Sequence, residues 1–480
     1  MDADRFAILA RLARAERLDR RGLLRRGAAV GLSAPALAAV AAATAPATRA
    51  LAQTPAAAAA NPLGVDPAQP LDVLMWDVGW GDEYALNAIE IYKRLYPGVE
   101  VEYLGVQRMQ EVAQPRFVSG DPPDVIEASQ LDRPALAAED LLADLSDLLA
   151  APAFDTEGAT LGETLRPGTQ VDAVLDGVRY AVNFSYGVQG VWYDANLMEE
   201  NGWTYPETWE GMLTLSEEIK GSGVAAPWTY QGQYPVYMST VLWEMIWKHG
   251  GMEAFLAIDN LQPDAWRQDA VRAAVDAVSQ LAQRDLIMPG TEALSHTDSQ
   301  AQWLQRRAVF IPCGSWLENE MKDLIPADFA MTFAPVPSLE GDVVPFQGIS
   351  TFFGQPFVVP AQAANLAGGK EFIRLLCSKE NANFFSEYTH SLTTILGAGE
   401  GMDYGPAFNS ALAALEAAGD NTFPGALYPS WYKPLGDEEA IQMGSLLTGQ
   451  ITPDEYIDNV QAMADQIAGD DSIPKFTREA

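Results

Sequence analysis

Apolar and polar positions switch between a period of two and a period near 3.6 along this chain, and the switches mark its elements. Leu71 to Trp76 is a short apolar run followed by the glycine-bearing loop DVGWGDEYA. Ala85 to Tyr96 then sets Leu86, Ile89, Ile91 and Leu95 on roughly one helical face, closed by Pro97-Gly98. Val99 to Leu104 alternates as a second strand. Strand, loop, helix and strand make a βαβ unit, and further units follow, so the pattern predicts an α/β fold. Gly120-Asp121-Pro122-Pro123 predicts a turn into a strand over Asp124 to Ala128, and Leu136 to Leu149 reads as helical or irregular. Asp176-Gly177, between Val174-Leu175 and Val178 to Val182, is a strong hairpin signal.

The segment Tyr180 to Glu210 reads as a crossover between two lobes. A strand-like run (Val188 to Tyr193) is followed by a helix starter (Asp194, Asn196), then by Pro206, Thr208 and Trp209 opening a second helix. It holds no Cys, no His and no carboxylate pair at a catalytic spacing. Asn183 to Val188 is expected to be the first hinge crossing and Val191 to Asp194 the strand entering the second lobe, with Trp192, Tyr193 and Trp209 in packing roles. Beyond it the pattern predicts helices over 209–220, 237–249, 252–257, 266–284 and 299–306, then over 368–378, 407–418, 437–448 and 453–467. Strands are expected over 308–311, 329–336 and 352–360.

The first fifty residues break from this pattern. They carry nine of the 30 basic residues, an Ala-rich apolar run from Ala28 to Ala43, and Ala50-Leu51-Ala52 before Gln53, the layout of an export signal. Asp19-Arg20-Arg21-Gly22-Leu23-Leu24-Arg25 resembles the twin-arginine consensus. The apolar run falls short of the ~20 residues of a membrane-spanning helix. Residues 1–52 are therefore expected to be a signal peptide cleaved after Ala52, and the Ala/Pro-rich residues 53–70 a flexible tether. No Cys stands at the cleavage site to take a lipid, so a periplasmic protein without a lipid anchor is expected.

Charge excludes some partners. Removing the nine Lys/Arg and four Asp/Glu of the leader from the 30 and 65 of the whole chain leaves 21 and 61, a net charge of −40. Such a surface argues against nucleic acid and anionic membranes. Cys313 and Cys377 are too few for a disulfide framework and are expected as buried free thiols.

Signatures of chemistry are scarce. His249, His296 and His390 lie far apart, and no H-E-x-x-H, C-x-x-C, G-x-G-x-x-G, Walker loop or G-x-S-x-G occurs, so no metal or cofactor is expected. Glu318 and Glu320 in WLENEM are the most tempting carboxylate pair. At i and i+2 on a helix they point to different faces, and a solvated helix start is the favoured reading. The chain does hold aromatic residues at loops, each beside Gly, Pro or Ser: Trp80, Trp228 with Tyr230, Trp316, and Trp431 with Tyr432. A flat ring offers an apolar face to the C–H face of a sugar, and pockets for small polar ligands mix such walls with a few placed polar groups.

The ordered segments SGDPPDVIEAS (Ser119–Ser129), VNFSYGVQGVWYDANLMEENGW (Val182–Trp203), PETWE (Pro206–Glu210), AVFIPCGSWLENEM (Ala308–Met321), PFVVPAQAAN (Pro356–Asn365) and the helix GKEFIRLLCSKENANFF (Gly369–Phe385) resemble the extracellular solute-binding proteins of ABC importers, in the large sugar-binding class. GDEYA, QPRFVSGDPPDV, APWTYQGQYP and PCGSWLENEMK are similar to the subgroup binding N-acetylglucosamine and N,N'-diacetylchitobiose. The resemblance implies a type II periplasmic-binding-protein-like fold of two α/β lobes joined by a multi-strand hinge, the ligand between them. Residues 71–182 plus 337–395 would form lobe 1, and 183–336 plus 396–470 lobe 2. It implies a monomer that binds a sugar and delivers it to an ABC transporter membrane permease, without catalysis. Another oligosaccharide, a glycosylated polyol or a polyamine is the alternative ligand, and a secreted carbohydrate-active enzyme the alternative class. Carried over by position, Trp80, Asp82, Glu83, Ser129 and Gln130 would contact the ligand from lobe 1. Trp228, Tyr230, Ser315, Trp316 and Trp431 would contact it from lobe 2, with Trp316 and Trp431 stacking on sugar rings.

Overall fold

The structure is a computed structural model that describes residues 61–77, 80–175 and 177–479. The signal peptide, its cleavage site and most of the tether lie outside the described residues. The packed chain begins earlier than the tether reading allows. Val65 is 3% exposed within an apolar cluster with Tyr92, Tyr96 and Phe372, and Asn61 exchanges two hydrogen bonds of 2.7 Å with Val65. One valine with an apolar surface to cover is enough to end the tether before Leu71.

Strands β1 (Leu71–Trp76), β2 (Val101–Val106) and β3 (Val125–Glu127) pair in parallel, the connections being the helices Glu83–Leu95 and Met109–Ser119. A short hairpin, β4 (Val174–Leu175) with β5 (Val178–Arg179), stands where the Asp-Gly signal put it. β6 runs unbroken for 13 residues, Val182–Asp194. β7 (Ala226–Trp228), β8 (Ala308–Gly314), β9 (Met331–Ala334), β10 (Ile349–Val358), β11 (Leu392–Thr393) and β12 (Thr422–Phe423) complete the described strands. The main sheet runs β2-β1-β3-β10-β6-β8-β7, with β9 and β11 on β6 and β12 on β10.

β6 and β10 tie the two lobes. Residues Val182 to Gln189 of β6 pair antiparallel with β10, which also pairs with β3 of the first lobe. From Gln189 to Asp194 the same strand pairs with β8 and β9 of the second. Both strands therefore run through the junction, β6 changing partners at Gln189. Gly187 is required here: a Cβ would collide with the Phe352 ring and Ser315 Oγ. Trp192 is buried and donates to the Cys313 carbonyl at 3.2 Å, and Trp209 is buried at its helix start, as expected of packing residues. Both cysteines are buried and free.

The second lobe is largely helical. The segment Val236–Asp259 holds the two helices expected over 237–249 and 252–257, parted at Gly251, whose φ of 67° and ψ of −171° are non-helical and which only glycine adopts without strain. Its Glu244 and Lys248, 2.9 Å apart and buried, hold the β9–β10 connection: Glu244 accepts from Val336 and Ser350 amides, and Lys248 donates to the Val336 and Phe346 carbonyls. The single helix read over Gly369–Phe385 is instead two, Leu366–Leu376 and Lys379–Thr389. Ser378 is extended there, and its hydroxyl caps the Asn381 amide. Among the described residues no helix is long and apolar enough to cross a membrane.

Candidate ligand-binding cleft

The loop after β1 delivers Trp80 to the line where the lobes meet. Its indole N–H donates to Ser391 Oγ at 3.0 Å, and its carbonyl accepts the Tyr388 hydroxyl at 3.0 Å, so the ring is fixed from the first lobe. Trp316 arrives from the second lobe, at the end of β8. The two rings meet edge to face, centroids 6.1 Å apart, and Phe352 of β10 stacks on Trp80 at 6.2 Å while presenting its edge to Trp316 at 4.7 Å. Tyr237 flanks Trp316 at 6.3 Å and packs on His296 at 5.1 Å with the rings tilted by 30°. Gly314 makes room for the Trp316 ring, which a Cβ there would strike.

Glu318 and Glu320 do diverge, but neither is the solvated helix start that was expected. Glu320 accepts from Gln300 at 2.9 Å and pairs with His296 at 2.8 Å. Glu318 accepts the Phe408 amide at 3.0 Å, and burial raises its carboxyl. The packing of residues 296–304 and 406–418 around this short helix, invisible in its own sequence, leaves both carboxylates only partly exposed. Among the described residues no His, Cys, Asp and Glu group could hold a metal ion.

The loop leading into Tyr237 also walls a cavity of about 630 Å³ between the lobes. Gln110, Ser129, Gln130 and Arg133 line it from the first lobe; Gln233, Tyr234, Ser430, Lys433 and Asp437 line it from the second. Arg133 is paired with Asp172 at 2.5 Å and Lys433 with Asp437 at 2.7 Å. With both cations paired, the lining offers amides, hydroxyls, the Tyr234 ring and the carboxylate of Asp132, which accepts the Ala135 amide, a surface suited to a hydroxyl-rich solute. Behind Ser129 lies Glu127, fully buried. Ser129 donates to one oxygen of Glu127 through its hydroxyl and amide, while the other oxygen has no partner. Burial lifts this carboxyl to about 8, against the opposing Ser129 bonds and the Arg133 charge.

The structure sorts the sequence-predicted residues into three groups. Trp80 and Trp316 come together, and Ser129 and Gln130 line the cavity. Gln130, however, spends its amide on its neighbours, accepting the Met109 amide at 2.9 Å and donating to the Gln107 carbonyl at 3.2 Å. Asp82, Glu83 and Ser315 lie close by in sequence to these rings. Asp82 accepts the Tyr103 hydroxyl at 2.5 Å, Glu83 is exposed in the first helical turn, and the buried Ser315 is hydrogen-bonded to Val188.

The third group is in the core. Trp228, 1% exposed, donates to Ser216 Oγ and packs on Trp209 and Phe310, because the helix Trp209–Ser222 covers its strand. Tyr230 is buried too, its phenol pushed up to about 12 by burial and the Glu292 charge. Trp431 is 6% exposed and packs on Tyr432 and Phe476, although its neighbours Pro429 and Ser430 line the cavity. Phe352, Tyr237, Gln233 and Tyr234 were missed. The polar, Gly/Pro-bearing string QGQYP beside Tyr230 was the available signal for the last two, since turn-forming loops sit at surfaces.

Residues 67–383 match the family described as bacterial extracellular solute-binding protein. The chain is 32% identical over 419 residues to the diacetylchitobiose-binding protein NgcE of Streptomyces coelicolor, covering 86% of this chain and 88% of that one. It is 29% identical over 143 residues, 27% of this chain and 30% of the relative, to an osmoprotective compounds-binding protein of Synechocystis. Among solved structures, a chitin oligosaccharide binding protein superposes with a TM-score of 0.66 at 17% identity, over 82% of this chain and 98% of the other. Maltose-bound MalE3 of T. maritima gives 0.65 at 18%, over 83% and 99%. Likeness at those identities speaks for the fold, the two-lobed type II periplasmic-binding architecture that the sequence resemblance implied. On the profile match and the long alignment, the chain belongs to the family of bacterial extracellular solute-binding proteins.

Proposed function

We propose that this protein is the exported solute receptor of an ABC importer, and that it takes a short N-acetylated amino-sugar such as N,N'-diacetylchitobiose between its lobes and hands it to a membrane permease. The observation that carries this reading is the alignment, over most of both chains, with a relative named for diacetylchitobiose. The cleft chemistry supports it. Trp80, Trp316 and Phe352 form an aromatic surface at the lobe junction, and in the separate cavity Gln110 and Gln233 supply amides for acetamido and hydroxyl groups, its volume falling within the about 300–1,000 Å³ usual for small-molecule clefts. An osmoprotectant ligand, the competing class, is supported by a match over a far smaller part of the chain.

The ligand-bearing lobes are taken as residues 71–182 plus 337–395 and 183–336 plus 396–470, the strands β6 and β10 bending between them. A ligand touching both lobes shifts the open–closed equilibrium by its differential affinity for the closed form. Removal of residues 1–52, release into a periplasm without a lipid anchor, and a monomeric state complete the proposal. Titration of the mature protein with N-acetylglucosamine, N,N'-diacetylchitobiose, maltose and cellobiose, followed by calorimetry, is the test. Saturable binding of the N-acetylated sugars supports the reading. Silence to all four, with a thermal shift from glycosylated polyols or polyamines, would overturn it.

A further inference from the structure

The wall of the cleft that carries Pro429, Ser430 and Lys433 is fastened from behind by a segment far along the chain, residues 475–478. Asp259, buried at the end of the helix that follows Gly251, uses one carboxylate oxygen to accept the amides of Leu427 and Tyr428, both at 2.9 Å. Its other oxygen accepts the Arg478 guanidinium at 2.6 Å, and the same Arg478 nitrogen donates to the Gly425 carbonyl at 2.9 Å. The Arg478 amide donates to the Asn260 side-chain oxygen at 2.6 Å, and Asn260 donates back to the Arg478 carbonyl at 3.0 Å. Phe476 donates its amide to the Tyr432 hydroxyl at 2.9 Å and lays its ring 5.7 Å from Trp431.

We infer that residues 475–478 act as a strap that positions the cleft wall Leu427–Asp437, with Arg478 and Phe476 as positioning residues for ligand binding. A helix of four residues, Tyr428–Trp431, cannot hold its own register. Asp259 satisfies the amides that open it, and the Arg478 guanidinium aims that carboxylate from its other oxygen. Trp431 is thereby given a structural part in the cleft: its ring is the surface on which the strap grips. The inference rests on the cavity being the ligand site.

Two variants and a control test it. Phe476→Ala removes the ring contact, and the double substitution Asp259→Asn with Arg478→Met removes both charges, leaving none buried alone. Glu371→Gln with Arg374→Met removes another buried ion pair, 2.6 Å and away from the cavity lining. Hydrogen exchange of the ligand-free full chain should speed at least tenfold across the amides of residues 427–437 in the strap variants, with no change there in the control. The affinity for N,N'-diacetylchitobiose should fall at least tenfold in the strap variants and stay within twofold in the control. Unchanged exchange across 427–437, or faster exchange with unchanged affinity, overturns the strap. Failure of the wild-type chain to bind that sugar counts against the proposed ligand instead, and exchange alone then decides whether the strap holds the wall.

Discussion

Trp80 and Trp316 come from opposite lobes and meet edge to face at 6.1 Å and an interplanar angle of 80°, with Phe352 of the connecting strand against both. The contact links a loop held by Ser391 and Tyr388 to the end of β8, so it reports on lobe closure as well as on the aromatic surface available to a ligand. An edge-to-face pair contributes about 0.5–1.5 kcal/mol beyond its buried area. A double-mutant cycle on Trp80→Ala and Trp316→Ala, read by urea unfolding, is expected to return a coupling in that range. Additive effects would show that the rings do not meet in solution.

Trp316→Ala is expected to weaken sugar binding by about 1–3 kcal/mol, taking aromatic stacking on nucleic-acid bases as the scale for a ring lying on the C–H face of a sugar. Trp228→Ala should behave in the opposite way. Its indole is walled in by Trp209 and Phe310, so truncation costs stability, about 3–5 kcal/mol, and leaves the affinity of the folded fraction unchanged. Calorimetric titration beside urea unfolding separates the two, and a loss of affinity in folded Trp228→Ala would return that residue to the cleft.

Glu127 makes stability fall with rising pH. Burial lifts its carboxyl from 4.5 to about 8 in the folded chain. The folded state then keeps a proton that the unfolded state has released. This contribution is fully present below the unfolded value, declines as pH rises, and is gone once the folded value has been passed. Between about pH 4.5 and 8 the wild-type chain should lose up to about 1.4 kcal/mol per pH unit relative to Glu127→Gln. Urea unfolding of both chains across that window measures the difference; parallel curves would mean that the carboxyl ionises freely.

Lys248→Met leaves Glu244 buried without its cation beside the Val336 and Ser350 amides. Breaking a buried pair from one side costs about 3–5 kcal/mol, so the unfolding midpoint should drop sharply. Glu244→Gln added to Lys248→Met should recover part of the loss. A single substitution without effect would mean that the pair does not hold the β9–β10 connection.

Gly187→Val forces a branched side chain into the space of the Phe352 ring and Ser315 Oγ. Overpacking of this kind costs about 1–3 kcal/mol, and at this position it should also change ligand affinity because β6 crosses between the lobes. Stability and titration measured together check both parts.

Much of the fold was legible because local pattern and tertiary demand agree. The β1–helix–β2 unit and the β4–β5 hairpin read from apolar period and turn residues, whereas of β6 only the run Val188 to Tyr193 read as a strand. Met109–Ser119 did not, since Pro115 and a polar sequence hide a helix that packing against the sheet supports. Glu318 and Glu320 misled in the same way, because they are partnered and partly covered by residues ninety positions later and twenty earlier.

The chain's own residues settle the succession of strands and helices, the crossover at Tyr180 to Glu210 and the aromatic character of its loops. These depend on periodicities of two and 3.6 and on turn chemistry within a few residues. Which aromatic residues reach the cleft was decided only by tertiary structure. Trp228, Trp316 and Trp431 each stand at the edge of an element beside small or turn-forming residues, yet only Trp316 keeps part of its ring open at the lobe junction. The helix Trp209–Ser222 covers the first and the segment at Phe476 covers the last. Whether a ring binds a solute or fills a core depends on what packs against its second face. That neighbour is set by chain segments tens of residues away, which no local pattern records.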